Sequence, residues 1–181
     1  MTSGDTQWPR YQVFHQEGPD RPHVNSGSVH ATDEEMALQN ARDVFVRRPD
    51  CVSLWAVLAT DIHSLTAEEL EREGLPESKN EDGDAQTYQV FLKKTHSGSH
   101  GHVGAIQATS PAAALAAAVA NYGSQGGIVW WVVSDTSIVR TDPGEIDSLF
   151  QSAMSKPYRS QSFYHTVTLM RRLREKKGIR E

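Results

Sequence analysis

Histidine is the residue type in this chain with the most obvious capacity for chemistry. His96, His100 and His102 lie close together, and His23 and His30 fall in the matching part of an earlier segment. On a strand, His100 and His102 are two apart and face the same way, so they could in principle ligate one metal ion. No carboxylate or cysteine nearby completes a ligand set, and the Gly- and Ser-rich surroundings read as loop. The spacing of Asp20 and His23 falls across Pro22, where helical geometry is not available, and no helix carries the Glu-x-x-His motif of paired-iron bundles. The glycines at 98, 101 and 104 have the wrong spacing for a dinucleotide loop; no P-loop or Gly-x-Ser-x-Gly elbow is present. Cys51 follows a Pro-Asp turn without an evident base, which marks an inert thiol. The sequence holds no convincing active site, so neither metal nor cofactor is expected.

The elements that would have to position such residues come in two copies. Tyr11-Gln12-Val13-Phe14 returns as Tyr88-Gln89-Val90-Phe91, and the match continues through His23/His100, Gly27/Gly104, Ala31-Thr32/Ala108-Thr109 and Ala41/Ala118 at a constant offset of 77. After the helix the offset drops by one, pairing Trp55 with Trp131 and Ile62 with Ile138. A repeat that holds register over several elements is one folding unit used twice. Each copy reads as two strands, a capped helix and a third strand. Asp33 or Thr32 caps the first helix, Ser110 with Pro111 starts the second, and Leu38, Ala41 and Phe45 form one apolar stripe. The alanine-rich second helix is expected to be the more buried one. Residues 52–58 and 128–133 are apolar on both parities, placing Trp55, Trp130 and Trp131 at the sheet centre or the seam between copies.

The expected fold class is therefore α+β: two tandem ββαβ repeats packed as a pseudo-dimer with antiparallel sheets, plus a C-terminal extension. The divisions expected are 1–62 for the first repeat, 63–86 for an acidic linker holding a short helix from Thr66 to Glu73, 87–140 for the degenerate second repeat and 141–181 for the extension. Within the extension, residues 144–154 should form a short helix and residues 165–177 a basic one. A unit of this size alone buries only about 60% of its unfolded surface, so the copies should share an interface. With 181 residues, net charge −5 and pI near 5.9, the chain is a poor nucleic-acid ligand on average, although its end is basic. The lone Cys51, the lack of a signal-type apolar run and the lack of a spanning stretch make a soluble, cytoplasmic protein the expectation.

The residues from His23 to Val57 carry a resemblance. Gly27-Ser28-Val29-His30-Ala31, Met36-Ala37-Leu38-Gln39-Asn40-Ala41-Arg42-Asp43, Arg47-Arg48 and Ser53-Leu54-Trp55 together resemble the B subunit of the multicomponent phenylacetyl-CoA ring 1,2-epoxidase. The C-terminal segment of that family is similar to Leu149-Phe150, Lys156, Tyr158-Arg159 and Phe163-Tyr164, which here follow copy two. The resemblance implies a non-catalytic subunit that pairs with itself and bridges larger subunits, with the di-iron centre on a different subunit and electrons supplied from NADPH by a reductase. It departs from the family in being duplicated, which suggests a fused pseudo-dimer with one fully equipped partner surface, open to further self-association. Arg42, Asp43, Arg47 and Arg48 form the first expected contact patch, and Tyr158, Arg159, Phe163 and Tyr164 the second, because arginine and exposed aromatics dominate interfaces. Two rivals remain at this stage. One is a small-molecule-binding regulatory module with an apolar pocket near Trp55, Trp130 and Trp131; the other is nucleic-acid binding through the basic end.

Overall fold

The structure is a computed structural model and describes residues 8–46, 51–76, 84–154 and 164–177. Copy one supplies β1 (Arg10–Gln16), β2 (Val24–His30), α1 (Glu34–Phe45), β3 (Ser53–Leu58), β4 (His63–Thr66) and α2 (Ala67–Glu73). Copy two repeats them as β5 (Gln86–Lys93), β6 (Gly101–Ala108), α3 (Pro111–Tyr122), β7 (Val129–Ser134), β8 (Ile138–Arg140) and α4 (Ile146–Met154), with α5 (Thr166–Lys177) added at the end. The α+β class and the two-repeat layout agree with the sequence reading.

Local chemistry explains the elements. Asp33, in extended backbone, accepts a hydrogen bond from the Met36 N–H at 2.8 Å, so it rather than Thr32 caps α1; the Thr32 hydroxyl donates to the Asp33 carboxylate. Ser110 does the same for α3, with Pro111 at a position where a missing N–H costs nothing. Thr66 and Glu69 form a reciprocal capping box on α2, which stops at Gly74. Each copy has a bulge at the same place, between Val13 and Phe14 and between Val90 and Phe91, facing Gly27 and Gly104. Both glycines have positive φ and lie beneath the aromatic ring of the last helical turn, Phe45 over Gly27 and Tyr122 over Gly104. A side chain there would be strained and would also strike the ring.

All eight strands form one antiparallel sheet in the order β4-β7-β5-β6-β2-β1-β3-β8. The copies meet at β2 and β6, where Val24 pairs Gly101, the Asn25 N–H donates to the His100 carbonyl and the His102 N–H donates to the His23 carbonyl, each at 2.8 Å. They meet again through an exchange. β3 runs on through a 3-10 turn into β4, and β7 through a matching turn into β8; β4 pairs β7 of the other copy, and β8 pairs β3. Val57↔Ile138 and His63↔Val132 keep one register across the two turns, so the ends of the strand order are joined and the sheet closes as a barrel. A pseudo-two-fold axis passes through both meeting points.

Closure accounts for three cores. Inside the barrel, Phe14 and Phe91 stack with centroids 4.1 Å apart, backed by Val57, Val133 and Ile138 and by the partly buried Trp55, Ile62 and Trp131. Outside, α1 covers the copy-one strands with Ala37 and Ala41, and α3 covers the copy-two strands with Ala114, Leu115 and Ala118. The helices following the exchanged strands cross over too: Phe150, Ile146 and Leu149 of α4 complete the copy-one core, while Ala67 and Leu70 of α2 pack on copy two.

One expectation needs correction. The segment expected as a linker from residue 63 opens with β4, a member of the sheet, because Leu65 is buried opposite Trp130. The alanine-rich α3 is the more buried helix, as expected, with Ala114, Leu115 and Ala118 buried where α1 buries Ala37 and Ala41, although both helices cover the outside of the barrel wall.

Candidate partner-binding surface

On α1, burial of Ala37 and Ala41 turns Gln39, Arg42 and Asp43 away from the barrel. The Arg42 guanidinium donates to the Asp43 carboxylate at 2.9 Å; the arginine side chain is 28% exposed and the aspartate 70%. Alongside, the Asn40 amide donates to the His30 carbonyl at 3.0 Å, and the Gln39 amide donates to Glu35 at 3.2 Å, tying the helix surface to β2 and to itself. Val44 lies exposed on the same helix. Next to this surface is a cleft of about 600 Å³ lined by Trp8, Arg10, His30, Leu58 and Thr60.

Of the eight expected contact residues, Arg42 and Asp43 are brought together on α1. Tyr164 is exposed just before α5. Arg47, Arg48, Tyr158, Arg159 and Phe163 lie outside the described residues. The two stretches that carried the family resemblance are joined in space, because the Phe150 ring is buried in the copy-one core with Tyr11, Val29, Ala31 and Ala41. A second cleft, of about 710 Å³, runs between Cys51-Val52 and Ile146, Phe150 and Gln151 along that junction.

The histidines are placed differently from expectation. His100 lies in the loop just before β6, as expected, but is buried there, whereas His102 lies on β6 and is partly buried. His23 stacks on Trp55 at 3.7 Å and His100 on Trp131 at 3.4 Å, one pair per copy. The His23 Nε2 also shares a 3.0 Å hydrogen bond with the Ser53 hydroxyl, whereas the His100 Nε2 is buried without a partner among the described residues. Burial, with Lys93 nearby, lowers the His100 pKa to about 4; burial, with His102, Arg140 and His15 nearby, does the same to His23. Burial lowers the His102 pKa as well.

Sequence reading missed the polar chain that surrounds Trp55 at the seam. Arg140, from the exchanged β8, lies 4.9 Å over the Trp55 ring and pairs with Asp135 at 2.5 Å. Asp135 accepts from the Gln89 amide at 2.7 Å, and the Gln89 oxygen shares a 2.7 Å hydrogen bond with His102, whose ring meets Trp55 edge-on. Burial pushes the Asp135 carboxyl up, and the hydrogen bonds from Gln89 and Arg140 more than offset it, leaving its pKa low. The signal was available in the constant pairing of His23/His100 with Trp55/Trp131, although Arg140 and Asp135 have no equivalents in copy one.

Arg140 and His102 of copy two thus meet Trp55 of copy one across the seam. On β1 and β2, His15 Nδ1 and the Ser26 hydroxyl lie 2.5 Å apart and His15 Nε2 lies 3.5 Å from Glu17, contacts that tie neighbouring strands. Burial raises the Cys51 thiol to about 11, keeping it protonated and a weak nucleophile near neutral pH. Among the described residues, no three His, Cys, Asp or Glu side chains are grouped to hold a metal ion.

Comparison with known proteins bears on this surface. The model of the family described as "Phenylacetic acid degradation B" matches residues 7–80 and again residues 84–171, in agreement with the internal repeat. This chain belongs to that family. A stretch of 62 residues is 45% identical to the B subunit of the 1,2-phenylacetyl-CoA epoxidase of Escherichia coli (strain K12), covering 34% of this chain and 65% of that protein. The chain thus spans a little under two thirds of the length of this curated relative. No solved structure matches the chain.

Proposed function

We propose that this chain is a non-catalytic bridging subunit of a multicomponent di-iron oxygenase that epoxidises the ring of phenylacetyl-CoA. Its function is to hold the catalytic and companion subunits, and it supplies no bond-making residue of its own. The observation that carries the reading is the convergence of the family-like segments: the Gly27 to Trp55 stretch and the Leu149-Phe150 segment, far apart in sequence, build one half of the barrel. Copy two, whose helix has alanine where copy one has Gln39 and Asp43, provides the pseudo-symmetric mate that a self-pairing subunit would otherwise recruit from a second chain. Linkage makes that association intramolecular, at an effective concentration on the order of millimolar. Arg42, Asp43, Arg47 and Arg48 with Tyr158, Arg159, Phe163 and Tyr164 are the proposed contacts, and the cytoplasm the proposed location; among the described residues no helix is long and apolar enough to cross a membrane.

The small-molecule alternative needed an open apolar pocket at the tryptophans. Trp55 and Trp131 are stacked on histidines and Trp130 is packed in the copy-two core, so that space is filled. The test is co-purification of the tagged chain with the di-iron oxygenase subunit. Stable capture is expected, and replacing Arg42 and Arg47 with alanine should weaken it while leaving thermal unfolding unchanged. A wild-type chain that remains alone beside the purified oxygenase would sink the bridging role.

A further inference from the structure

Among the described residues, helix α5 leaves its apolar side chains largely uncovered. Val167 is 80% exposed, Leu169 53%, Met170 55% and Leu173 57%. At about 100° per residue, Leu169, Leu173 and Met170 fall on one arc flanked by Lys176 and Arg174. Thr168, Arg171, Arg172 and Glu175 take the opposite side, where Arg171 pairs with Glu175 at 3.4 Å. Twelve residues make a helix that is marginal in water on its own, so an apolar stripe of this kind gains stability chiefly by being covered.

We propose that α5 is a docking helix that lays Leu169, Met170 and Leu173 into an apolar groove rimmed by carboxylates on the oxygenase subunit this chain bridges. The inference rests on the bridging reading and names a surface and a chemistry for it. Charge selects the rim: Arg171, Arg172, Arg174, Lys176 and Lys177 stand against Glu175 alone in this helix, although the whole chain carries −5. Position selects the partner. α5 follows α4 in the chain, and α4 is packed on the copy-one core that bears the Arg42–Asp43 surface. A membrane or nucleic acid fits less well, because the rest of the chain is strongly acidic and would be repelled by an extended polyanion. The apolar stripe is also narrow, and phosphate contacts make no use of it.

The experiment uses the full chain and the purified di-iron subunit. Wild type, Leu169→Ser/Met170→Ser/Leu173→Ser and Arg171→Glu/Arg172→Glu are titrated against it at two salt concentrations, with thermal unfolding followed in parallel. Both variants are expected to bind at least about tenfold more weakly with unchanged unfolding, and the charge variant to lose most of its deficit at high salt. Wild-type affinity in both variants would overturn the docking helix while leaving the bridging role standing. Failure of wild type to bind would overturn both. Tight binding of wild type to anionic phosphatidylserine vesicles or duplex DNA, abolished by the same substitutions while oxygenase binding is unchanged, would assign α5 to a polyanion and overturn the proposal.

Discussion

The two halves of the barrel have the same backbone plan and different side-chain duties. Both keep the bulge glycine under an aromatic ring, the polar cap before the outer helix, the phenylalanine at the pseudo-two-fold axis and the histidine stacked on tryptophan. They diverge where those groups meet solvent or the other half. Copy one has Ser53 bonded to His23 where copy two has Val129 at the matching position, and copy two supplies Asp135 and Arg140 where copy one has Ala59 and Ser64. The retained residues are those that line the closure of the barrel, and the divergent ones are those that surround the stacked rings at the seam.

The largest effect should come from the axis itself. Phe14 and Phe91 are fully buried, so Phe14→Ala and Phe91→Ala should each destabilise the chain by about 3–5 kcal/mol in urea unfolding. Because the rings stack on each other, the double variant should lose clearly less than the sum. Additive losses would mean that the two rings do not couple energetically.

Next come the bulge glycines. Gly104→Ala should cost about 1–3 kcal/mol, since it adds φ strain to a collision with the Tyr122 hydroxyl. Gly27→Ala should cost less, because the Phe45 ring lies farther from the added methyl. Tyr122→Phe in the Gly104→Ala background should recover part of the loss; no recovery would place the whole cost in the backbone.

The stacked histidines give the comparison a pH dependence. His23 and His100 titrate near 4 when folded against an ordinary value of 6.5, so the unfolded chain binds protons first as pH falls. Their contribution to stability is fully present above about 6.5, is lost progressively down to about 4 and stops changing below that. His100→Phe should flatten that part of the stability curve, as should His23→Phe.

The smallest change tests the matching positions Ser53 and Val129. Ser53→Val should cost about 1–3 kcal/mol by leaving the His23 nitrogen without a partner, and Val129→Ser should stabilise by up to about 1 kcal/mol by giving the His100 Nε2 one. Chemical denaturation of the two variants side by side checks both signs.

Much of this was legible in the chain. The constant offset disclosed two like units, and the Ser110 cap, the competing caps Asp33 and Thr32 and the apolar stripes marked the helices, because these are signals between residues a few positions apart. The exchange was not legible. β4 is only four residues, His63–Thr66, and buries Leu65 alone, so it carries no alternation that marks a strand. Arg42 and Asp43 were readable as an outward face because helical periodicity orients them, whereas the Arg140–Trp55–His102 assembly draws on three strands and has no local pattern.

The sequence by itself determined the number of units, their ββαβ plan and the family to which their residues point, all matters of short-range spacing and similarity. Only the tertiary structure decided which strand completes which unit and where the tail settles. A repeat specifies two equivalent sets of edges without saying whether each closes on itself or on its neighbour. That choice is made by long-range packing around Phe14 and Phe91, where the reciprocal exchange leaves the ends of the strand order joined.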